Sequence, residues 1–146
     1  MASKYICAFL SLWLATFTVF AQTKEKTEDF WVIGNSTQLE TISFDELTRV
    51  FRAQLEYWDN NTMSEVILHQ SKSMDATKTA QLFYDGSIRN MQRFWLTMVF
   101  SGRARSPKYL DNHQEIVDYV RNTPGSIAIV YDRTGIEDLE IQLTYD

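Results

Sequence analysis

The chain has 146 residues, 14 of them basic and 19 acidic, for a formal net charge of −5. That balance excludes a general nucleic-acid or anionic-membrane binder, which needs a basic surface to neutralise phosphates. One cysteine excludes a disulfide framework, and 45% apolar residues suffice for one packed core.

The amino terminus reads as an address. Lys4 precedes an uncharged apolar run, Tyr5 to Phe20, which closes on Val19-Phe20-Ala21 before Gln22. A basic start, an apolar centre and small or apolar residues at −3 and −1 of a cut after Ala21 are what signal peptidase recognises. The run is shorter than the ~20 residues of a membrane span. Residues 1–21 are therefore expected to be a signal peptide, with Cys7 inside it and no stable membrane span after processing. Removal leaves 146 − 21 = 125 residues, enough for one domain, and no cysteine. Secretion without cysteine fits the bacterial periplasm better than a eukaryotic extracellular space, where small domains are disulfide-dense. Residues 22–28 are polar and read as a flexible leader, which gives the folded domain residues 29–146.

Phe30-Trp31-Val32-Ile33 is a short apolar strand that ends at Gly34-Asn35. Ser43-Phe44-Asp45-Glu46 has the capping-box pattern, and Phe44, Leu47, Val50 and Phe51 recur at helical spacing to about residue 52. Tyr57 to Asn61 reads as a turn with aromatic anchors, because Asn and Asp bond their own backbone and tolerate left-handed geometry. Glu65 to His69 is a second strand. A polar loop, Gln70 to Asp75, leads into a helix from about Ala76 to Tyr84, capped by Ser73 or Asp75.

Asp85-Gly86 breaks that helix. A longer one follows, with Ile88, Met91, Phe94, Trp95, Met98 and Val99 forming a broad apolar face that should be packed. Gly102 to Lys108 reads as a basic loop. Asp111 or Asn112 caps the next helix, with Ile116, Val117 and Val120 on one face. Pro124 cannot continue that helix and Gly125 accepts a positive φ, so it stops there. Ile127 to Val130 is apolar without alternation, as in a central strand covered on both faces. Leu139, Ile141 and Leu143 alternate with polar residues, the pattern of a strand with one buried face, expected at a sheet edge. Strands and helices interleave without an internal repeat or linker, which indicates one α/β domain.

No catalytic constellation is present, so an enzyme is not expected. His69 and His113 stand alone, no His or carboxylate spacing makes a metal site, and the scattered glycines form no cofactor-cradling loop. His69, at the end of an apolar strand, reads as a satisfied strand-end residue. Anion binding has a mechanism, since a loop entering a helix offers free amides and the positive end of the helix dipole. Ser71, Ser73 and Thr77 add hydroxyls there, while Asp75 competes as an ordinary cap. Arg103 and Arg105 could supply countercharge or simply be solvated.

Several segments in order carry a resemblance: the strand ending at Asn35; Ile42 to Leu47 followed by Val50-Phe51 and Trp58; Phe83; Phe94-Trp95 with Phe100-Ser101-Gly102 and Pro107; Glu115-Ile116-Val117 with Val120; and Thr123-Pro124-Gly125-Ser126-Ile127. Together they resemble small secreted proteins related to the periplasmic phosphate-binding component of phosphate ABC transporters. The resemblance implies a single three-layer α/β domain with a mixed, mostly parallel sheet, like one lobe of a type II periplasmic binding protein. It also implies phosphate or a similar oxyanion as ligand and an ABC permease as partner. Relatives carry a Ser-Gly-Thr signature, often with a nearby arginine, after the second strand. Here His69 to Thr77 lacks that glycine and arginine, so Ser71, Ser73 and Thr77 are the residues that carry over, with Asn35 and Ser36 standing in for an amino-terminal hydroxyl-rich loop. The other reading is a ligand-free accessory or interaction module that meets an envelope protein. The oligomeric state is not encoded in any of these patterns.

Overall fold

The computed structural model describes residues 30–70 and 72–145. The expected signal peptide (1–21), the leader (22–28) and Ser71 lie outside the described residues. In chain order the elements are β1 (Trp31–Gly34), β2 (Thr41–Ser43), α1 (Phe44–Phe51), β3 (Glu65–His69), α2 (Met74–Phe83), α3 (Ile88–Phe100), β4 (Lys108–Leu110), α4 (His113–Asn122), β5 (Ser126–Val130) and β6 (Glu140–Thr144). The six strands form one sheet in the order β2-β6-β1-β5-β3-β4. β2 runs parallel to β6, and β5, β3 and β4 run parallel to one another, while β1 is antiparallel to both of its neighbours. The sheet is thus mixed and mostly parallel.

Side-chain alternation divides each strand between two faces. Val32, Val66, Leu68, Ile127, Ile129 and Ile141 face α1, α2 and α3, where Leu47, Phe51, Phe83, Tyr84 and Trp95 complete the larger core. Ile33, Ile67, Ala128 and Val130 face α4, which presents Ile116, Val117 and Val120, and Leu139, just before β6, joins this smaller core instead of the face that holds Ile141. The result is three layers, helices, sheet and helix. β5 is buried along its whole length because both faces and both edges are covered, as its unbroken apolar run implied.

Each helix begins where a side chain accepts from a first-turn amide: Ser43 from Glu46, Ser73 from Ala76, Ser87 from Asn90 and Asn112 from Glu115. α2 starts at Met74, two residues earlier than its apolar pattern suggested, because Ser73 is the cap. Before β5 the chain turns through Gly125 at φ +83°, whose amide donates to Asn35 O at 2.7 Å.

Four expectations need correction. β6 is not an edge strand; it lies between β1 and β2, and the three-residue β2 was too short to show a period. The end of the basic loop, Lys108–Leu110, is strand β4, paired with β3 at the far edge. Only Trp58 anchors the 57–61 turn, at 4% exposure against 48% for Tyr57. The expected face of α3 is covered except at its end: Met91 and Trp95 are buried and Ile88 and Phe94 pack against the core, but Val99 reaches solvent, as do Leu96 and Phe100 beside that face. No helix among the described residues is long and apolar enough to cross a membrane.

Candidate functional site

β3, β4 and β5 run in one direction, so His69, Leu110 and Val130 end at one edge of the sheet. In open α/β sheets the carboxyl edge is where ligands bind. α2 starts there, five residues after β3 ends, with the positive end of its dipole at the edge.

The first turn of α2 is held tightly. Ser73 Oγ accepts from the Ala76 amide at 2.9 Å and donates to Gln70 O at 3.0 Å, so the hydroxyl is used in both directions. Thr77 Oγ1 donates to Ser73 O across a long 3.4 Å, the weaker of the two arrangements. Asp75 in this turn contributes negative charge. Beside it, Tyr131, the residue after β5, shares a hydrogen bond of 3.2 Å with Thr79 Oγ1, and Lys78 Nζ lies 4.8 Å from its ring centre.

The His69 and Tyr131 rings stand 6.0 Å apart. His69 is buried, and its Nε2 donates to Ile129 O at 3.2 Å, which makes it the satisfied strand-end residue its position implied. Burial holds its pKa below the ordinary 6.5, against a smaller opposing pull from the Asp75 carboxylate.

The other predicted residues are elsewhere. β1 is antiparallel to β5, with Gly34 opposite Ile127, so Asn35 and Ser36 sit at the amino edge of the parallel strands. Five residues of strand, roughly 15 Å, separate the two edges. There Asn35 Nδ2 donates to Val120 O and Arg121 O, both at 2.9 Å, and closes the carboxyl end of α4. Ser36 Oγ donates to Asn35 Oδ1 at 2.9 Å, and Ser36 O accepts from Asn60 at 2.7 Å.

Arg103 and Arg105 also belong to the amino edge. They line a cleft of about 250 Å³ with Glu56, Glu65, Pro107 and Pro124, at the start of β3, β4 and β5. Glu56 and Glu65 share that cleft without forming an ion pair with either arginine, and the cleft lies at the opposite edge of the sheet from the start of α2. Of the predicted residues, the fold brings Ser73 and Thr77 together and Asn35 with Ser36, but not the two pairs with each other. Lys78 and Tyr131 had no sequence signal, because only the parallel pairing of β3 and β5 puts the residue after β5 beside α2. No group of three or more His, Cys, Asp or Glu gathers as a metal site among the described residues.

No family model matches the sequence, and no curated protein matches it. Solved structures do share the fold. PstS from Borrelia burgdorferi superposes with a TM-score of 0.60 at 13% identity, over 79% of this chain and 47% of that one. A protein from Clostridium perfringens, assigned as a phosphate ABC transporter substrate-binding protein and crystallised with bound phosphate, gives 0.50 at 11% identity, over 80% of this chain and 44% of that one. The chain spans under half the length of these structures. Its α/β domain has the fold of one lobe of a PstS-like periplasmic binding protein.

Proposed function

We propose that this protein is a periplasmic solute-binding module that takes phosphate or a similar small oxyanion at the amino end of α2, in support of an ABC-type uptake system. The observation that carries the reading is the start of a ten-residue helix at the carboxyl edge of three parallel strands. The anion would accept from the amides of Met74 and Asp75 and from the Thr77 hydroxyl, with the Lys78 ammonium nearby. Ser73 then shapes the turn instead of touching the ligand. With a single lobe the anion stays partly hydrated, so the affinity is weak, on the order of millimolar.

Thermal unfolding with phosphate against chloride at equal ionic strength tests this reading. At ten times Kd, phosphate should stabilise the protein by about 1.4 kcal/mol. An unchanged midpoint across millimolar phosphate would refute it.

A second reading, a ligand-free accessory module that meets an envelope protein, is favoured by one observation. The hydroxyl of Ser73 and the side-chain amide of Asn35 are already engaged within the protein, with Gln70 and with the end of α4. Under that reading phosphate leaves the protein unchanged while a protein partner binds.

A further inference from the structure

Leu96, Val99 and Phe100 are 58%, 36% and 85% exposed: Val99 ends the face that buries Met91 and Trp95, and Leu96 and Phe100 stand beside it on the solvent side of α3. With Trp95, Pro107 and Tyr109 they line a groove of about 570 Å³ between α3 and β4. A contiguous apolar concavity of this kind on a surface marks a place where something docks.

The charge around it is one-sided. Gly86 to Leu110 holds five of the chain's 14 basic residues and none of its 19 acidic ones. Arg89 and Arg93 precede Leu96 and Phe100 on the same side of α3, at i, i+3 and i+4 spacings. Arg103 and Arg105 stand on the loop that follows. None of these four arginines is ion-paired with another described residue. On an otherwise acidic protein this is a basic, apolar face.

The backbone adds a third feature. β4 is an edge strand, and Gln70 N donates to Leu110 O at 2.9 Å. Leu110 therefore points its peptide groups at β3, and alternation turns the amide and carbonyl of Tyr109 outward, where another extended chain can pair with them.

We propose that the α3–β4 face docks an extended, acidic segment of a partner protein, its backbone laid along β4 and its apolar side chains in the groove. Anionic charge on the segment meets the four arginines, and the concavity accepts side chains that a bilayer surface could not extend into it. A second copy using the same face would set five cations against five. The inference rests on this surface alone and is independent of the oxyanion reading.

The test is selection of a random peptide library displayed on phage against the purified protein, followed by fluorescence anisotropy of the selected peptides. Enriched peptides should combine Leu, Phe or Trp with Asp or Glu, and should slow hydrogen exchange at the Tyr109 amide. Their affinity should fall about tenfold or more in the double variant Leu96→Ala, Phe100→Ala, and severalfold in Arg103→Gln, Arg105→Gln, as expected for an anchor and its charged rim. The phosphate response should stay as it was in both variants. Peptides that are basic, or that bind the Leu96→Ala, Phe100→Ala variant equally well, would overturn the proposal. So would co-sedimentation with phosphatidylglycerol vesicles, or a concentration-dependent dimer, that this variant abolishes; these would give the face to lipid or to a second copy.

Discussion

The indole Nε1 of Trp58 donates to the carbonyl of Gly125 at 2.8 Å, a buried bond between residues 67 apart in sequence. The same carbonyl accepts from the Glu65 amide at 3.1 Å. One oxygen thus joins the 57–61 turn, the start of β3 and the start of β5. Trp58→Phe keeps most of the apolar packing and removes the donor, and should cost about 1–3 kcal/mol. Urea unfolding should show a lower midpoint with an unchanged slope.

Gly125 is more constrained than its partner. Its φ is +83°, and a Cβ there would collide with the Met63 carbonyl. Gly125→Ala should therefore cost about 3 kcal/mol or more, among the larger single-residue effects. Gly135 has a similar φ of +73° but nothing within 4 Å. Gly135→Ala should cost only the backbone strain, about 1–2 kcal/mol. Equal costs at the two positions would show that the Met63 contact is unimportant.

Tyr84 joins two helices and the exit of a third. Its hydroxyl donates to Phe51 O at 2.7 Å and accepts from Trp95 Nε1 at 2.9 Å, and burial pushes the phenol well above its ordinary pKa of 10. Tyr84→Phe leaves a buried carbonyl and a buried indole N–H without partners, at a cost of about 2–4 kcal/mol. Denaturant unfolding of the variant measures it.

His69 makes stability depend on pH. Its folded pKa lies below the ordinary 6.5 because burial disfavours the charged ring. The unfolded chain then binds the proton more readily, so stability is fully present above pH 6.5 and is lost as pH falls from there towards the folded pKa. His69→Gln should flatten this slope below pH 6.5. A variant with the same slope as the parent would place the effect on another group.

Ser73→Ala removes the cap of α2 and should cost about 1 kcal/mol. Because its hydroxyl is already used twice within the protein, phosphate affinity should change no more than that loss of helix order dictates, about twofold. A loss of tenfold or more would make Ser73 a direct ligand.

The fold was legible where the chain declares itself over several residues. Ile127 to Val130, without alternation, announced a strand buried on both faces, and Ser43, Ser73 and Pro124-Gly125 marked helix ends through local chemistry. The short strands were not legible: Thr41–Ser43 and Lys108–Leu110 carry too few residues for a period, and without them β6 looked like an edge. The exposed end of α3 was hidden for another reason. Val99 has the spacing of the packed face, and spacing does not say whether a neighbour is there to cover it, while Leu96 and Phe100 lie off that face and carried no sign of the groove they line. The site was least legible. Hydroxyls that look alike in sequence, Ser36 and Ser73, end at opposite edges because β1 runs against β5, and strand direction is a tertiary property.

The most direct test of the central claim is a phosphate titration followed in ¹H–¹⁵N correlation spectra. Saturable shifts confined to the amides of Met74 to Thr77 and to Tyr131, with Asn35, Ser36, Arg103 and Arg105 unmoved, are the predicted result. No saturable shift at millimolar phosphate, or shifts centred on the Arg103 and Arg105 cleft, would contradict it.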